Sequence, residues 1–199
     1  MTDDGIGRIL VASLHQSIGD TLPVRLEYYE HWLSPRGLRE GRTGRAPLGA
    51  VLSFLRQEGR DTYDRVMTTA GRHSAEWHFA ERGPMQRAHR LLPYAWRARL
   101  ALARCRELLR SAFEPARVSV SVRHGVGTVS IAGSVFCQLR EPSAWPTCGY
   151  FAAAVDRYLA LQGLTAQVVI EACEAAGAGR CRLQVVFHPA GLPARGELA

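Results

Sequence analysis

Residues 118–137, VSVSVRHGVGTVSIAGSVFC, decide the fold class. Val118, Val120 and Val122 alternate with Ser119, Ser121 and Arg123, the period-two pattern of a half-buried strand. His124-Gly125-Val126-Gly127 is turn material. Val129, Ile131, Gly133, Val135 and Cys137 then fall on one face of a second strand. Past a loop carrying Pro142 and Pro146, a helix is predicted from about Gly149 to Leu161, followed by strands at roughly 166–173 and 180–187 joined by EAAGAG. The order is β-β-α-β-β, and short connections favour two antiparallel hairpins with the helix between them.

Working back toward the N-terminus, the pattern turns helical. Ile6, Leu10, Leu14 and Ile18 recur every four residues. Pro23 stands at the N1 position of a second helix running through RLEYYEHWL, which Ser34-Pro35-Arg36-Gly37 ends. GLREGRTGRAP (37–47) is a loop, and Pro47 opens a third helix with Leu48, Val51, Leu52 and Leu55 on one face and Gly59 as its stop. A long helix covers about Asp61 to Glu81 before Gly83-Pro84. From Pro93 to Ala112 an apolar face of Ala98, Ala101, Leu102, Cys105, Leu108 and Leu109 is set among arginines, and Glu114-Pro115 ends the helical half. The expected architecture is α+β: five or six helices in a layer (1–115), packed on a small antiparallel sheet (116–187), with a frayed tail (188–199), all in one domain because each half needs the other to cover its apolar face.

At 199 residues, 47% hydrophobic and 22% charged, the composition is that of a folded globular chain and excludes a disordered or collagenous one. No stretch approaches the ~20 apolar residues of a membrane span, and MTDDGIGRIL lacks the basic start of a secretory leader, so a cytoplasmic location is expected. All 25 basic residues are arginine, and the chain has no lysine or asparagine, a bias that a GC-rich genome explains. Eight arginines against one acid, Glu107, lie between Arg82 and Arg110, a local excess equal to the chain's net charge of +7. Such a stripe suits an acidic protein or another anionic partner, against the plain alternative of a solvated helix face. Nucleic acid is disfavoured, because no helix-turn-helix, zinc finger or RNA-binding signature accompanies it.

Four of the five cysteines lie between residues 137 and 181. Cys105, on the apolar face of its helix, reads as a small buried hydrophobe. Cys137 and Cys148 are eleven apart, Cys173 and Cys181 eight apart. Cys148 precedes a helix, where free N–H groups favour a thiolate. Cys173 ends one strand and Cys181 begins the next, so their turn brings them together. Thiolates at such a junction could hold a tetrahedral zinc, structural because four protein ligands leave no open position. Cys137 or Glu171 could supply the fourth ligand, Glu171 sharing strand parity with Cys173. The spacing is not a CxxC knuckle, and the competing reading is four buried inert thiols.

CGYFAAAVDRYLALQG (148–163) followed by VVIEACEAAGAGRCRLQVVF (168–187) resembles the C-terminal signature of the vinyl-4-reductase (hydrocarbon-binding) domain family, with Cys148, Cys173 and Cys181 at its cysteine positions. Glu171-Ala172-Cys173 is one residue tighter than that family's Glu-to-Cys spacing. RILVASLHQSIGDTLPVRLEYYEHWL, APLGAVLSFLRQEG and AGRHSAEW are similar to a bacterial subgroup labelled bacteriochlorophyll 4-vinyl reductase. The resemblance implies a fold shared with subunits of the TRAPP tethering complex, a zinc at the cysteine cluster, a homodimer, and a hydrophobic or aromatic ligand such as a tetrapyrrole, held as carrier, substrate chaperone or sensor. It also leaves open a protein-interaction module and an enzyme of tetrapyrrole vinyl reduction. Against the enzyme, no strand-GxGxxG-helix unit offers a nucleotide cofactor, and GxSxG, P-loop and HExxH motifs are absent, so no catalytic residue is assigned.

A pocket between helices and sheet needs aromatic walls. Tyr28, Trp32, Phe54, Trp77, Trp145 and Tyr150 are the chosen candidates, with Tyr29, Phe79, Trp96 and Phe151 as neighbours; many aromatics in any such set are ordinary core. His31, His73 and His78 are candidate polar anchors or axial ligands to a tetrapyrrole metal.

Overall fold

The computed structural model describes residues 5–30, 32–33, 44–81, 92–138 and 143–188. It is an α+β fold. Helices α1 (Arg8–Thr21), α2 (Leu26–Glu30), α3 (Arg45–Gln57), α4 (Arg60–Glu81) and α5 (Tyr94–Ala112) precede the hairpin β1 (Arg117–Arg123) and β2 (Val126–Ala132). Helix α6 (Gly149–Leu161) and the hairpin β3 (Thr165–Ala172) and β4 (Cys181–His188) complete it. The predicted β-β-α-β-β order is present. The four strands form one antiparallel sheet in the order β1-β2-β4-β3, the two hairpins joined by pairing of β2 with β4.

Three local expectations shift. Pro23 opens a single 3-10 turn, Pro23–Arg25, and only then the short α2. Helix α3 starts at Arg45, which puts Pro47 inside its first turn, where its missing N–H costs nothing. Strand β2 stops at Ala132 because Gly133 takes a φ of +75°, and the N–H groups of Cys137 and Gln138 both donate to Ser134 O. Cys137 therefore reaches its place from a turn and not along a strand face. The GLREGRTGRAP loop up to residue 43, Gly83-Pro84 and the tail beyond His188 lie outside the described residues.

One face of the sheet is apolar and covered. Val129, Ile131, Leu183, Val185 and Phe187 are buried beneath α5 and α6. The other face carries Arg117, Ser119, Ser130 and Arg182, and is exposed or half-exposed. Helix α6 buries residues on most of its circumference, from Tyr150 to Leu159, because it lies between the sheet and α4. The apolar face predicted for α5 is buried throughout. Arg97 on α5 donates to the carbonyls of Gln162 and Gly163 and so satisfies the C-terminal end of α6. The N-terminal strand bridge Ile6–Phe113, with Glu114 N–H donating to Gly5 O at 2.8 Å, ties the first residues to the junction between the halves. Residues of both halves belong to a single buried cluster. Among the described residues no helix is long and apolar enough to cross a membrane.

Two features hold α1, α4 and α6 at close range. A buried chain of hydroxyls runs from Tyr150 to Ser74 (2.7 Å), from Ser74 to Ser13 (2.8 Å) and from Ser13 to Leu10 O (2.9 Å). Each donor has an acceptor, so the polar line crosses the core without an unmade bond. Burial raises the Tyr150 phenol to about 12, which keeps it a donor. Beside this line, a Cβ at Gly71 would stand 2.3 Å from Tyr150 O, so only glycine permits this approach of α4 to α6. Gly71→Ala should therefore lower unfolding stability by about 1–3 kcal/mol in urea titrations; an unchanged midpoint would show that the helices are not so closely packed.

Candidate metal centre

Four chain segments meet at the sulfur cluster. Cys137 comes from the turn after β2, Cys148 from the residue before α6, Cys173 from the residue after β3, and Cys181 from the first position of β4. The register pairs Cys181 with Ile131, which delivers the end of β2 to the same place. Cys137 Sγ lies 3.3 Å from Cys181 Sγ and 3.6 Å from Cys173 Sγ, and the three sulfurs are within 4.8 Å of one another. Among the described residues this is the one such group of three or more metal-ligating side chains, and it could hold a metal ion. Cys148 is not one of those three; hydrogen bonding to Cys137, then to Cys173 and Cys181, pushes its thiol up and sets it beside them. All five cysteines are free and buried.

The spacing suits metal ligation. Thiolates at the corners of a tetrahedron with metal–sulfur bonds of ~2.3 Å stand about 3.8 Å apart, close to the two distances seen. The surroundings favour thiolates too. Thr147 N–H donates to Cys173 Sγ at 3.4 Å, and Glu174 N–H donates to Cys181 Sγ at 3.4 Å. Hydrogen bonding from Cys148 lowers Cys137 to about 7, and hydrogen bonding from Cys137 holds Cys173 well below an ordinary thiol. Cys181, bonded chiefly to Cys137, is pushed up. The four share protons that a bound cation would displace. Cys105 stands apart in the core, where burial pushes its thiol up and leaves it inert, as expected from the helix pattern.

Glu171 does not join the cluster. A register shift between Ile170 and Ala172 breaks the parity that would align it with Cys173, and its side chain is exposed on the outer face of β3. The acid that does contribute is Glu174, which sequence reasoning passed over. Its Oε2 accepts the N–H groups of Gly133 (3.2 Å) and Ser134 (3.4 Å), fastening the turn that carries Cys137 to the loop that carries Cys173. Thr147 was passed over as well. It is fully buried, its hydroxyl donates to Phe136 O at 2.9 Å, and its carbonyl accepts Tyr63 OH at 3.1 Å. That last bond ties the cysteine loop to α4.

The six aromatic candidates separate. Tyr28, Trp32 and Phe54 gather on α2, the residues after it and α3: the Phe54 ring meets Tyr28 edge-on at 5.4 Å and Trp32 at 6.1 Å. Tyr28 and Phe54 border a cleft of about 590 Å³ that also includes Val24, Arg25 and Glu58. Tyr150 is fully buried, packs on Phe136 at 4.9 Å and is held by Ser74. Trp77 stacks on His73 at 5.6 Å, and Trp145 lies on the cysteine loop with its indole N–H buried and unpartnered. Trp77 and Trp145 thus lie apart from the Tyr28 cleft. His73 is bound to Asp20 at 3.0 Å, and His78 is buried against the Tyr158 ring; His31 lies outside the described residues. Within the arginine stripe, residues 82–91 lie outside the described residues, Arg97 serves the end of α6, and Arg104 is paired with Glu107 at 3.2 Å.

No family model matches the chain, and no curated protein matches it. Among solved structures, an H-NOX protein from S. oneidensis, crystallised in its Fe(II)NO ligation state, superposes with a TM-score of 0.56, covering 92% of this chain and 100% of that one at 9% sequence identity. At that identity the likeness is one of fold.

Replacing Glu174 by Ala should free the Gly133–Ser134 turn and cost about 1–3 kcal/mol of stability, measured by chemical denaturation. A variant as stable as the parent would remove Glu174 from the account of the cluster.

Proposed function

We propose that this protein binds a hydrophobic or aromatic small molecule, as carrier, substrate chaperone or sensor, on a scaffold clipped together at its C-terminal half by a structural zinc. The observation that carries the ligand reading is the cleft beside α2 and α3. Val24 is 96% exposed and Tyr28 50%, both at a cavity of ligand size, and Trp32, 36% exposed, lies against the Phe54 ring that borders it. Arg25, ion-paired with Glu58, and the Tyr29 hydroxyl, 3.4 Å from the same carboxylate, supply a small polar set at its wall. The H-NOX protein of like fold is described in an Fe(II)NO ligation state, which supports a fold suited to small ligands.

The zinc reading rests on the four thiols. A soft, all-sulfur donor set selects zinc or an iron–sulfur centre over harder cations, and a tetrahedral shell of four thiolates would leave the ion no site for substrate. Its role would be to join the turn after β2, the start of α6, the end of β3 and the start of β4. Cys148 before a helix, Cys173 at a strand end and Cys181 at a strand start also support the likeness to the vinyl-4-reductase domains, and with it a homodimer and a tetrapyrrole-like ligand as further proposals. The same exposed apolar cluster favours a second reading, a protein-interaction module that docks a partner there.

Two measurements test these readings. Neutral Nile red should bind with a saturable fluorescence rise that Phe54→Ala and Trp32→Ala each weaken several-fold; binding untouched by both variants would refute the cleft. Removing metal with a chelator should lower Tm by about 5 °C or more, the effect of roughly 2 kcal/mol on a chain of this size, whereas Cys173→Ser should be insensitive to the chelator. Equal Tm values before and after stripping would exclude a structural metal.

A further inference from the structure

At the end of the sheet where β1 begins lies a concavity of about 440 Å³. Arg110 at the end of α5, Arg117 on β1 and Arg180 just before β4 line it together, with the hydroxyl-bearing Ser119 and Ser130 between them. The register explains the convergence. Ser119 pairs with Ser130 and Arg117 with Ala132, so alternate residues of β1 and β2 present the same outer face.

What marks these three arginines is that they line one concavity and, among the described residues, none is held by a carboxylate. Arg25, Arg60, Arg104 and Arg157 have carboxylate partners, and Arg97 caps α6. The side chains of Arg110, Arg117 and Arg180 make no ion pair or hydrogen bond among the described residues. Glu114 is the single acid at the cleft, so three guanidinium groups face one carboxylate. Like charges gathered on a concave surface raise the local potential, and an anion entering would relieve it. Guanidinium forks match the planar or tetrahedral oxygens of carboxylates and phosphates. Val118 and Ala132 give the cleft an apolar side for the body of an organic molecule. The outer face of the sheet presents serine, threonine and glutamine and no Phe, Tyr or Trp, so it lacks the stacking platform that single-stranded nucleic acid uses.

We propose that this cleft is a binding site for a small organic dianion, its carboxylate or phosphate groups held by Arg110, Arg117 and Arg180. The site shares no lining residue with the aromatic cleft.

The test is calorimetric titration of the full chain at fixed ionic strength with succinate and, separately, with glycerol 3-phosphate; the stronger of the two identifies the oxyanion class. At least one should bind one-to-one with a Kd of about 1 mM or tighter. Arg117→Gln and Arg180→Gln should each weaken it about tenfold or more, with circular dichroism and Tm unchanged. Arg106→Gln, on an exposed part of α5 outside the cleft, should leave it unaltered. Absence of saturable binding by both anions would overturn the proposal. So would equal weakening by Arg106→Gln, or tight binding only of an RNA oligomer, since each would mean diffuse attraction to a basic surface.

Discussion

The convergence of buried sulfur from four chain segments is the constraint on which the C-terminal half depends. The two hairpins share only one strand pairing, β2 with β4, and α6 must cross over between them. Where those elements begin and end, the sulfurs of Cys137, Cys173 and Cys181 lie within 4.8 Å of one another, braced by N–H groups from Thr147 and Glu174 and by the Glu174 carboxylate across the Gly133–Ser134 turn. Four thiols without a metal would be a weak clasp, since each is a poor hydrogen-bonding group. As ligands to one cation, they would connect every junction of the small sheet and its helix at a single point.

The helical half has a different logic. Its cohesion comes from apolar packing threaded by one fully satisfied line of hydroxyls, Tyr150 to Ser74 to Ser13, and by the absence of a side chain at Gly71. Because α6 takes part in both systems, the cluster at its N-terminus and the core along its length hold the same element from two directions. The aromatic cleft is built on the part of the chain least involved in either: the short α2 and the outer side of α3.

Most of the architecture was legible because period and breakers agree. Alternating Val and Ser from 118 to 122, the four-residue spacing of Leu10, Leu14 and Ile18, and the apolar face of α5 each state their element in local terms. The approach of Cys173 to Cys181 followed from where they sit on elements, at the end of one strand and the start of the next, not from their spacing. What sequence could not convey was backbone detail that depends on tertiary contacts. Gly133 at positive φ turns Cys137 off the strand, and a bulge at the end of β3 brings Cys173 inward while Glu171 keeps to the exposed face and Glu174 swings in. The expected single pocket was also not legible, because hydrophobicity marks Tyr150 and Phe54 alike, although one is sealed in the core and the other borders open space.

Zinc K-edge X-ray absorption on protein purified without added metal tests the central claim most directly. Stoichiometric zinc with a shell of four sulfur scatterers at about 2.3 Å is the predicted result. A chain carrying no stoichiometric metal, or zinc surrounded by nitrogen and oxygen, would contradict it.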